Sequence, residues 1–376
     1  MRIALIAPPW LAVPPVSYGG TERIIDTLAR GLIEIGQDVV LLTTGDSTCP
    51  VPKRVTLPRA VGTDQASPAW ELRNVIAAYD HAREAQVDVV HDHTLVGPFF
   101  ARRFPRLPVV TTNHGPFEGD LADVYRAMTE LIPVVAISHN QAAAASRLRI
   151  PVEAVIHHGV HLTDYPIGTG RGGYAAFVGR MNPTKGVHVA CQLAREAAIP
   201  LRIAAKMRER DEHDYFEGCI RPMLGGDIEY LGELDRGDTI RLMGDALCLL
   251  NPIAWPEPFG LVMVESLATG TPVVGTPAGA APEIVDDGTT GLLRADPRRL
   301  LDALRCVGDL DRRACRDAVQ QRFTAARMAQ RYSAVFNDVT TRWPAPHPML
   351  PNTGRPIPAA VNGIKCRGQD RLEAAS

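Results

Sequence analysis

The sequence has almost no excess charge of either sign, since 40 Lys and Arg residues stand against 42 Asp and Glu residues, a net charge of −2. This balance excludes a surface that is basic throughout, and we expect no nucleic-acid partner. The sequence also lacks the ~20 consecutive apolar residues that a membrane-spanning helix needs. Its first apolar run stops at Pro8, too early for a secretory signal peptide, so we expect a cytoplasmic protein.

Cysteine is also scarce and irregularly placed. The seven cysteines are odd in number, and no C-x-x-C pair occurs. The pattern therefore disfavours a disulfide framework and a thiolate zinc site, and it fits a reducing compartment. Most of the cysteines have apolar neighbours, as Cys248 does, which favours a role in packing.

Short apolar runs alternate with longer helical segments along most of the chain. The runs that predict strands are 2–7, 38–43, 87–91, 109–112, 134–137 and 153–156, and then 175–178, 201–205, 228–231, 247–250 and 272–275. Between them lie helical segments such as 22–35, which Gly36 can end. Strands that are apolar on both faces and are separated by helices indicate parallel βαβ units.

A break in this alternation predicts the domain organisation. The segment 166–173 contains four glycines and one proline, which suits a hinge. We predict an α/β protein with two doubly wound, Rossmann-like domains that face each other across a cleft. The predicted parts are a first domain over 1–165, a hinge over 166–173, a second domain over 174–322, a helix over 323–341 and a disordered tail over 342–376.

The strongest chemical signal is the string E-P-F-G-L-V-M-V-E at 257–265. A predicted strand leads to Glu257, and a helix is predicted to begin near Gly260, where free N–H groups favour an anion. Glu265 follows in the second turn, where its carboxylate can accept hydrogen bonds from two neighbouring ribose hydroxyls. Glu257 can do the same for a sugar. For either residue taken alone, the alternative to a binding role is a surface glutamate beside a helix.

A second signal is the pair Arg180 and Lys185, which flank a predicted strand-to-helix turn. Arg180 is predicted to leave the strand, and Lys185 to open the following helix. A cation at a helix start opposes the helix dipole, which favours a bound anion such as a diphosphate over a solvated lysine. The third signal, Gly19 and Gly20, is weaker because it matches neither G-x-G-x-x-G nor a P-loop.

Five histidines lie at or just after the ends of predicted strands. His91 and His93 end a predicted strand, and we favour a polar strand end near the cleft over a metal site, because no third ligand is evident. His157 and His158 are adjacent, so only one of them can face the cleft. His114 at another strand end is either a structural histidine or a site residue.

We interpret two small basic clusters as solvated loops. The first is Arg102, Arg103 and Arg106, and the second is Lys206, Arg208 and Arg210. An alternative for the first cluster is peripheral contact with a membrane. An alternative for Lys206 is a position close to the bound nucleotide.

Together these strings resemble the retaining glycosyltransferases of the GT4 family (glycosyl transferases group 1), which have the GT-B fold. The resemblance covers nearly all of 1–340, and the E-x7-E pattern in its E-P-F-G-L context is its most specific part. It implies an acceptor-side N-terminal domain, a C-terminal domain that binds a nucleotide-sugar donor, and a last helix that packs back toward the N-terminal domain.

The resemblance also implies roles for individual side chains. Glu257 would hold hydroxyls of the donor sugar and Glu265 those of the nucleotide ribose. Arg180 and Lys185 would neutralise the diphosphate. His114 would contact the donor sugar from the acceptor side.

Backbone groups have implied roles as well. The N–H groups of Phe259, Gly260 and Leu261 would cap the phosphate and the sugar, while Gly19 and Gly20 would line the phosphate side.

The sequence departs from the family pattern in two places. His158 and His161 stand in a string that usually reads N-G-V-D, and Ala280 replaces the second of two glycines. Both departures concern the cleft, and the roles of His91, His93, His158 and His161 stay open.

The implied reaction moves a sugar from a nucleoside-diphosphate sugar, of UDP or GDP type, to a hydroxyl of a small-molecule, glycan or lipid acceptor. No cofactor and no metal are implied, and front-face attack would retain the anomeric configuration. Alternatives are a sugar-nucleotide epimerase or hydrolase on a similar fold, a non-catalytic nucleotide-sugar binding protein, and a glycosidase with Glu257 and Glu265 as its carboxylate pair.

Overall fold

A computed structural model describes residues 1–62 and 67–343 of the chain. The first half contains seven strands: β1 (Arg2–Ile6), β2 (Asp38–Thr43), β3 (Lys53–Val55), β4 (Val89–Asp92), β5 (Val109–Thr112), β6 (Val134–Ala136) and β7 (Ala154–Val155). They form one parallel sheet in the order β3-β2-β1-β4-β5-β6-β7. Five helices connect them: α1 (Gly20–Glu34), α2 (Pro68–Glu84), α3 (Gly97–Phe100), α4 (Gly119–Thr129) and α5 (His139–Arg147).

The second half repeats this architecture with six strands: β8 (Ala175–Arg180), β9 (Leu201–Lys206), β10 (Ile228–Gly232), β11 (Cys248–Asn251), β12 (Val273–Gly275) and β13 (Gly291–Leu293). They form a parallel sheet in the order β10-β9-β8-β11-β12-β13. Its helices are α6 (Val187–Ala197), α7 (Arg210–Tyr215), α8 (Arg236–Asp245), α9 (Leu261–Ala268), α10 (Ala281–Ile284), α11 (Pro297–Cys306) and α12 (Arg312–Arg322).

Two parallel sheets flanked by helices confirm the predicted α/β class. In both sheets the strand order reverses beside the first strand of the half, because β1 lies between β2 and β4 and β8 lies between β9 and β11. Ligands of doubly wound sheets bind outside the carboxyl ends of the strands at this point. The fold therefore predicts a ligand site formed by the loops after β1, β4, β8 and β11.

The last helix, α13 (Ala325–Arg342), returns to the first half and packs against α1. Its Met328, Tyr332 and Phe336 are buried in the same apolar cluster as the inner face of α1. Gly31 of α1 allows this close contact, since a Cβ at that position would lie 3.0 Å from the carbonyl oxygen of Ala325.

The end of the described chain differs from the prediction. Arg342 still belongs to α13, and the indole N–H of Trp343 donates a hydrogen bond to the carbonyl oxygen of Pro105 at 3.1 Å. The rest of the predicted tail, 344–376, lies outside the described residues. Among the described residues, no helix combines the length and the apolar character that a membrane span requires.

An apolar cluster joins the two halves beside the segment predicted as a hinge. Tyr165 comes from the end of the first half, Phe323 precedes α13, Phe259 lies in the loop before α9, and Met263 belongs to the first turn of α9. The segment 166–173 itself contains no helix or strand. The start of α9 is thus held by packing from both halves.

Candidate functional site

A cavity of about 570 Å³ lies between the carboxyl ends of the two sheets. This volume is in the range of sites for small organic ligands. The structure brings together at its wall all the residues predicted for the donor site and for catalysis: Gly19, Gly20, His114, Arg180, Lys185, Glu257, Phe259, Gly260, Leu261 and Glu265.

The loop between β11 and α9 forms one wall of the cavity. Gly260 precedes α9 with a φ of +94°, a conformation that favours glycine. A Cβ at this position would also lie 2.4 Å from the Met263 side chain. The N–H groups of the first turn of a helix have no acceptor inside the helix. Because Leu261 and Val262 line the cavity, this turn is suited to an anion there.

Lys185 and Glu257 form an ion pair on this wall. Lys185 was predicted to open a helix, and this was wrong: it ends a one-turn 3₁₀ segment, and α6 begins two residues later. Gly186 separates the two elements with a φ of +76°, and a Cβ there would be 2.1 Å from the carbonyl oxygen of Pro252. Lys185 is therefore positioned by this tight turn and by Glu257 rather than by the helix.

Arg180 lies beside a buried ion pair, Lys206 and Glu212, that was not predicted from the sequence. Its Nε lies 3.3 Å from the carboxylate of Glu212, which also accepts a hydrogen bond from Lys206 at 3.1 Å. Lys206 is only 3% exposed, so its interpretation as a solvated residue was wrong. Its second partner is Glu209. The carboxylates hold two cations together at the cavity wall, where Arg180 also faces the ring of Tyr18 at 5.8 Å.

Glu265 links the two halves. One of its carboxylate oxygens accepts hydrogen bonds from Arg23 in α1 and from the Tyr165 hydroxyl, both at 2.8 Å. Arg23 also donates to the carbonyl oxygen of Ser17. No spacing rule connects Arg23 with Glu265, because 242 positions separate them in the chain.

Four histidines form a row that leads from the core of the first half to the cavity, where His114 and His158 line the wall. The rings of His91 and His93 are 4.0 Å apart, those of His93 and His114 are 5.1 Å apart, and those of His114 and His158 are 5.4 Å apart. One hydrogen bond of 2.9 Å joins His93 Nδ1 and His114 Nε2. His91 is fully buried, and its Nε2 lies 2.8 Å from the hydroxyl of Thr112. Burial lowers the pKa of His114 to about 4, which keeps this ring neutral.

The departures from the family pattern in 158–161 have structural explanations. His158 lines the cavity and contacts Phe259 with a centroid distance of 4.9 Å. His161 points to α1, where its Nε2 lies 3.2 Å from the carbonyl oxygen of Thr27. Gly159 between them is required because a Cβ would lie 2.3 Å from the carbonyl oxygen of Thr324.

We expect His158 to make the protein sensitive to acid. Burial, with a smaller contribution from neighbouring histidines, lowers the pKa of His158 well below its usual value. Below about pH 6.5 the unfolded chain binds a proton at this position that the folded protein does not bind, so stability falls as the pH falls. As the pH is lowered, the free energy of unfolding, measured with urea at each pH, should therefore decrease less for His158→Asn than for the wild type. The difference should be about 1.4 kcal/mol per pH unit between about pH 6 and pH 5.

The control for this measurement is His213→Asn, because His213 is exposed on α7. Its slope should equal that of the wild type. Equal slopes for His158→Asn and the wild type would contradict a neutral buried His158.

Two family comparisons match separate parts of the chain. Residues 18–164 match the family described as Glycosyltransferase Family 4, and residues 173–308 match the family described as Glycosyl transferases group 1. The first match contains β2 to β7 of the first sheet, and the second contains all six strands of the second sheet. The chain belongs to the GT4 glycosyltransferases. It is thus an enzyme, as the motifs predicted.

Individual relatives match this GT4 enzyme over most of its length. It is 28% identical to a glycogen synthase of Mycobacterium tuberculosis, covering 90% of this chain and 91% of the relative. It is 27% identical to a phosphatidyl-myo-inositol mannosyltransferase of Propionibacterium freudenreichii, covering 76% and 80% of the two chains. The structure of Anabaena HepE in complex with UDP and glucose aligns with a TM-score of 0.70 at 20% identity, covering 90% of this chain and 99% of that one. The fold is GT-B, as predicted.

Proposed function

We propose that this glycosyltransferase moves a sugar from a nucleoside-diphosphate sugar to an acceptor hydroxyl with retention of the anomeric configuration. The reaction requires no divalent metal. The acceptor oxygen attacks from the face that the diphosphate leaves, and the leaving phosphate takes the acceptor proton.

The observation that carries the proposal is the ion pair of Lys185 and Glu257 beside the first turn of α9. A diphosphate bound at this turn would compete with Glu257 for the ammonium group of Lys185. Lys185 would then neutralise the charge that develops on the leaving diphosphate, and Glu257 would be free to accept hydrogen bonds from sugar hydroxyls. Arg180 would approach the same diphosphate from the end of β8.

The side of the cavity that belongs to the first half would supply the acceptor side. Buried nitrogens of His114 and His158 have no hydrogen-bond partner within the part of the chain that the structure describes, which favours a ligand hydroxyl as the partner. The relatives support a donor of UDP type and an acceptor that is a glycan or a lipid-linked polyol, because HepE is described with UDP and glucose and the mannosyltransferase is named for phosphatidyl-myo-inositol.

A donor screen tests the proposed function. The purified chain is incubated with EDTA, with UDP-, GDP- and ADP-sugars in turn, and with a metabolite extract as the acceptor pool, and release of nucleoside diphosphate is measured. We expect one donor class to release its diphosphate only when the extract is present. Release without acceptor would indicate a hydrolase or an epimerase, and binding without release would indicate a binding protein.

The role of Glu265 has its own test. If its carboxylate binds the ribose, Glu265→Gln should weaken binding of the nucleoside diphosphate by about tenfold, as loss of a charged hydrogen bond does. Binding of inorganic pyrophosphate, which has no ribose, should change less than twofold, roughly within the scatter of such measurements. Isothermal titration of both ligands measures the difference. An equal loss for both ligands would refute the ribose assignment.

A further inference from the structure

A second cluster of polar side chains lies outside the donor cavity, at another junction of the two halves. His139 begins α5, His157 follows β7, and Glu283 belongs to α10 of the second half. One ligand atom from each of these side chains lies within 4.8 Å of the others. Two imidazoles and a carboxylate are the ligand types that Zn²⁺ prefers, and three protein ligands leave a fourth position open.

Two of the three side chains are held in place. One oxygen of Glu283 accepts hydrogen bonds from the His139 N–H at 2.8 Å and from His157 Nε2 at 2.7 Å, and the other accepts the Asn140 N–H at 2.7 Å. Burial raises the pKa of Glu283, but these hydrogen bonds outweigh it and hold the pKa below its usual value. The carboxylate is therefore ionised and ready to bind a cation.

The His157 ring is held by the rings of Phe259 and Phe323, with centroid distances of 5.9 Å and 5.8 Å. His139 is exposed and faces the His157 ring at 5.5 Å, so it can cover an ion that arrives from solvent.

We propose that His139, His157 and Glu283 bind one Zn²⁺ ion and that this ion ties the two halves of the enzyme together. On binding, the ion takes the place of the hydrogen atom between His157 Nε2 and Glu283, and the imidazole, bound through Nε2, carries its proton on Nδ1. The two atoms must separate from 2.7 Å to about 3.3 Å, the distance between neighbouring ligands in a tetrahedral zinc site. The exposed His139 ring completes the set by a rotation of its own side chain.

The ion would slow turnover rather than support it. His139 and His157 belong to the half with the first sheet, Glu283 belongs to the other half, and His157 contacts Phe259 in the loop that lines the donor cavity. A metal bridge across this junction opposes any separation of the halves that substrate entry or product release requires. Zinc binding does not depend on the proposed glycosyl transfer, so a result that disproves the zinc site leaves the proposed reaction unaffected, and the reverse also holds.

Isothermal titration of the tag-free, full-length chain with ZnCl₂ tests the site. We expect one ion per chain with micromolar or tighter affinity. His139→Ala should weaken this affinity by at least about tenfold, because it removes a ligand but keeps the backbone N–H that binds Glu283. His213→Ala, which changes an exposed histidine on α7, should leave the affinity unchanged. No binding by the wild type, or equal affinity for His139→Ala, would overturn the site.

The bridge is tested by turnover. Zn²⁺ should lower kcat of the wild type and of His213→Ala, and EDTA should restore it. At the same Zn²⁺ concentration, kcat of His139→Ala should stay unchanged. Zinc that binds with the expected affinity but leaves kcat of the wild type unchanged would overturn the bridge.

Discussion

Lys185→Ala is expected to lower kcat for sugar transfer by about 10²–10³, the usual effect of removing one preorganised group that stabilises developing charge. The loss should be at the upper end because Lys185 also neutralises Glu257. Without the ammonium group, the carboxylate of Glu257 faces the incoming diphosphate as an uncompensated charge, at a position where its side chain is only 15% exposed. Steady-state kinetics with the donor identified by the screen measures this effect.

A double-mutant cycle separates the two contributions. Adding Glu257→Gln to Lys185→Ala should recover part of the nucleotide affinity, because it removes the repulsion. Glu257→Gln alone should slow transfer far more than it weakens nucleotide binding. Lys53→Ala is the matched control, since Lys53 is exposed on the edge strand β3 and does not line the cavity. Unchanged diphosphate binding in Lys185→Ala would refute the assigned phosphate site.

Gly279→Ala is expected to impair both stability and transfer. Gly279 has a φ of +59°, and a Cβ there would lie 2.2 Å from the carbonyl oxygen and 2.3 Å from the nitrogen of Glu257. The new methyl group must push the loop that carries Glu257, while the alanine is also strained by its positive φ. We expect the free energy of unfolding to fall by about 3 kcal/mol and kcat to fall by about tenfold or more. Urea unfolding and kinetics measure the two effects.

Two neighbouring positions serve as controls. Gly288 also has a positive φ, +84°, but a Cβ there has no atom within 4 Å, so Gly288→Ala carries the backbone strain without the collision. It should lose stability and keep full activity. Ala280 has a φ of −84°, which an alanine adopts without strain. Ala280→Gly should cost only about 1 kcal/mol. Full activity in Gly279→Ala would contradict the account of the Glu257 loop.

All the central strands were predicted from the sequence, but only two of the four edge strands, β7 and β10, were predicted. The predicted bounds of β2 and β5 agree with the structure, because both strands are apolar runs buried on both faces. The prediction missed β3 and β13, which have three residues each. In β3 all three residues are exposed, and an exposed edge strand has no need of an apolar run.

The cavity wall was predictable because its residues follow strand ends in recognisable strings. The partners of these residues were not, since each comes from a distant part of the chain: Glu212 for Arg180, Arg23 for Glu265, and His93 for His114. Glu283 had no predicted role, yet its carboxylate contacts the backbone N–H of His139 and the ring of His157. The contacts of Glu265 and Glu283 depend on how the two halves pack, and those of Arg180 and His114 depend on packing within one half; no local spacing encodes either.

Product analysis by NMR tests the central claim most directly. The purified enzyme is followed in EDTA with one nucleotide sugar and its acceptor, and the configuration of each product is read from its anomeric coupling. We expect glycosylated acceptor and nucleoside diphosphate in equal amounts, with the sugar in the configuration that it has in the donor. Free sugar in place of glycosylated acceptor, or an inverted linkage, would contradict the account.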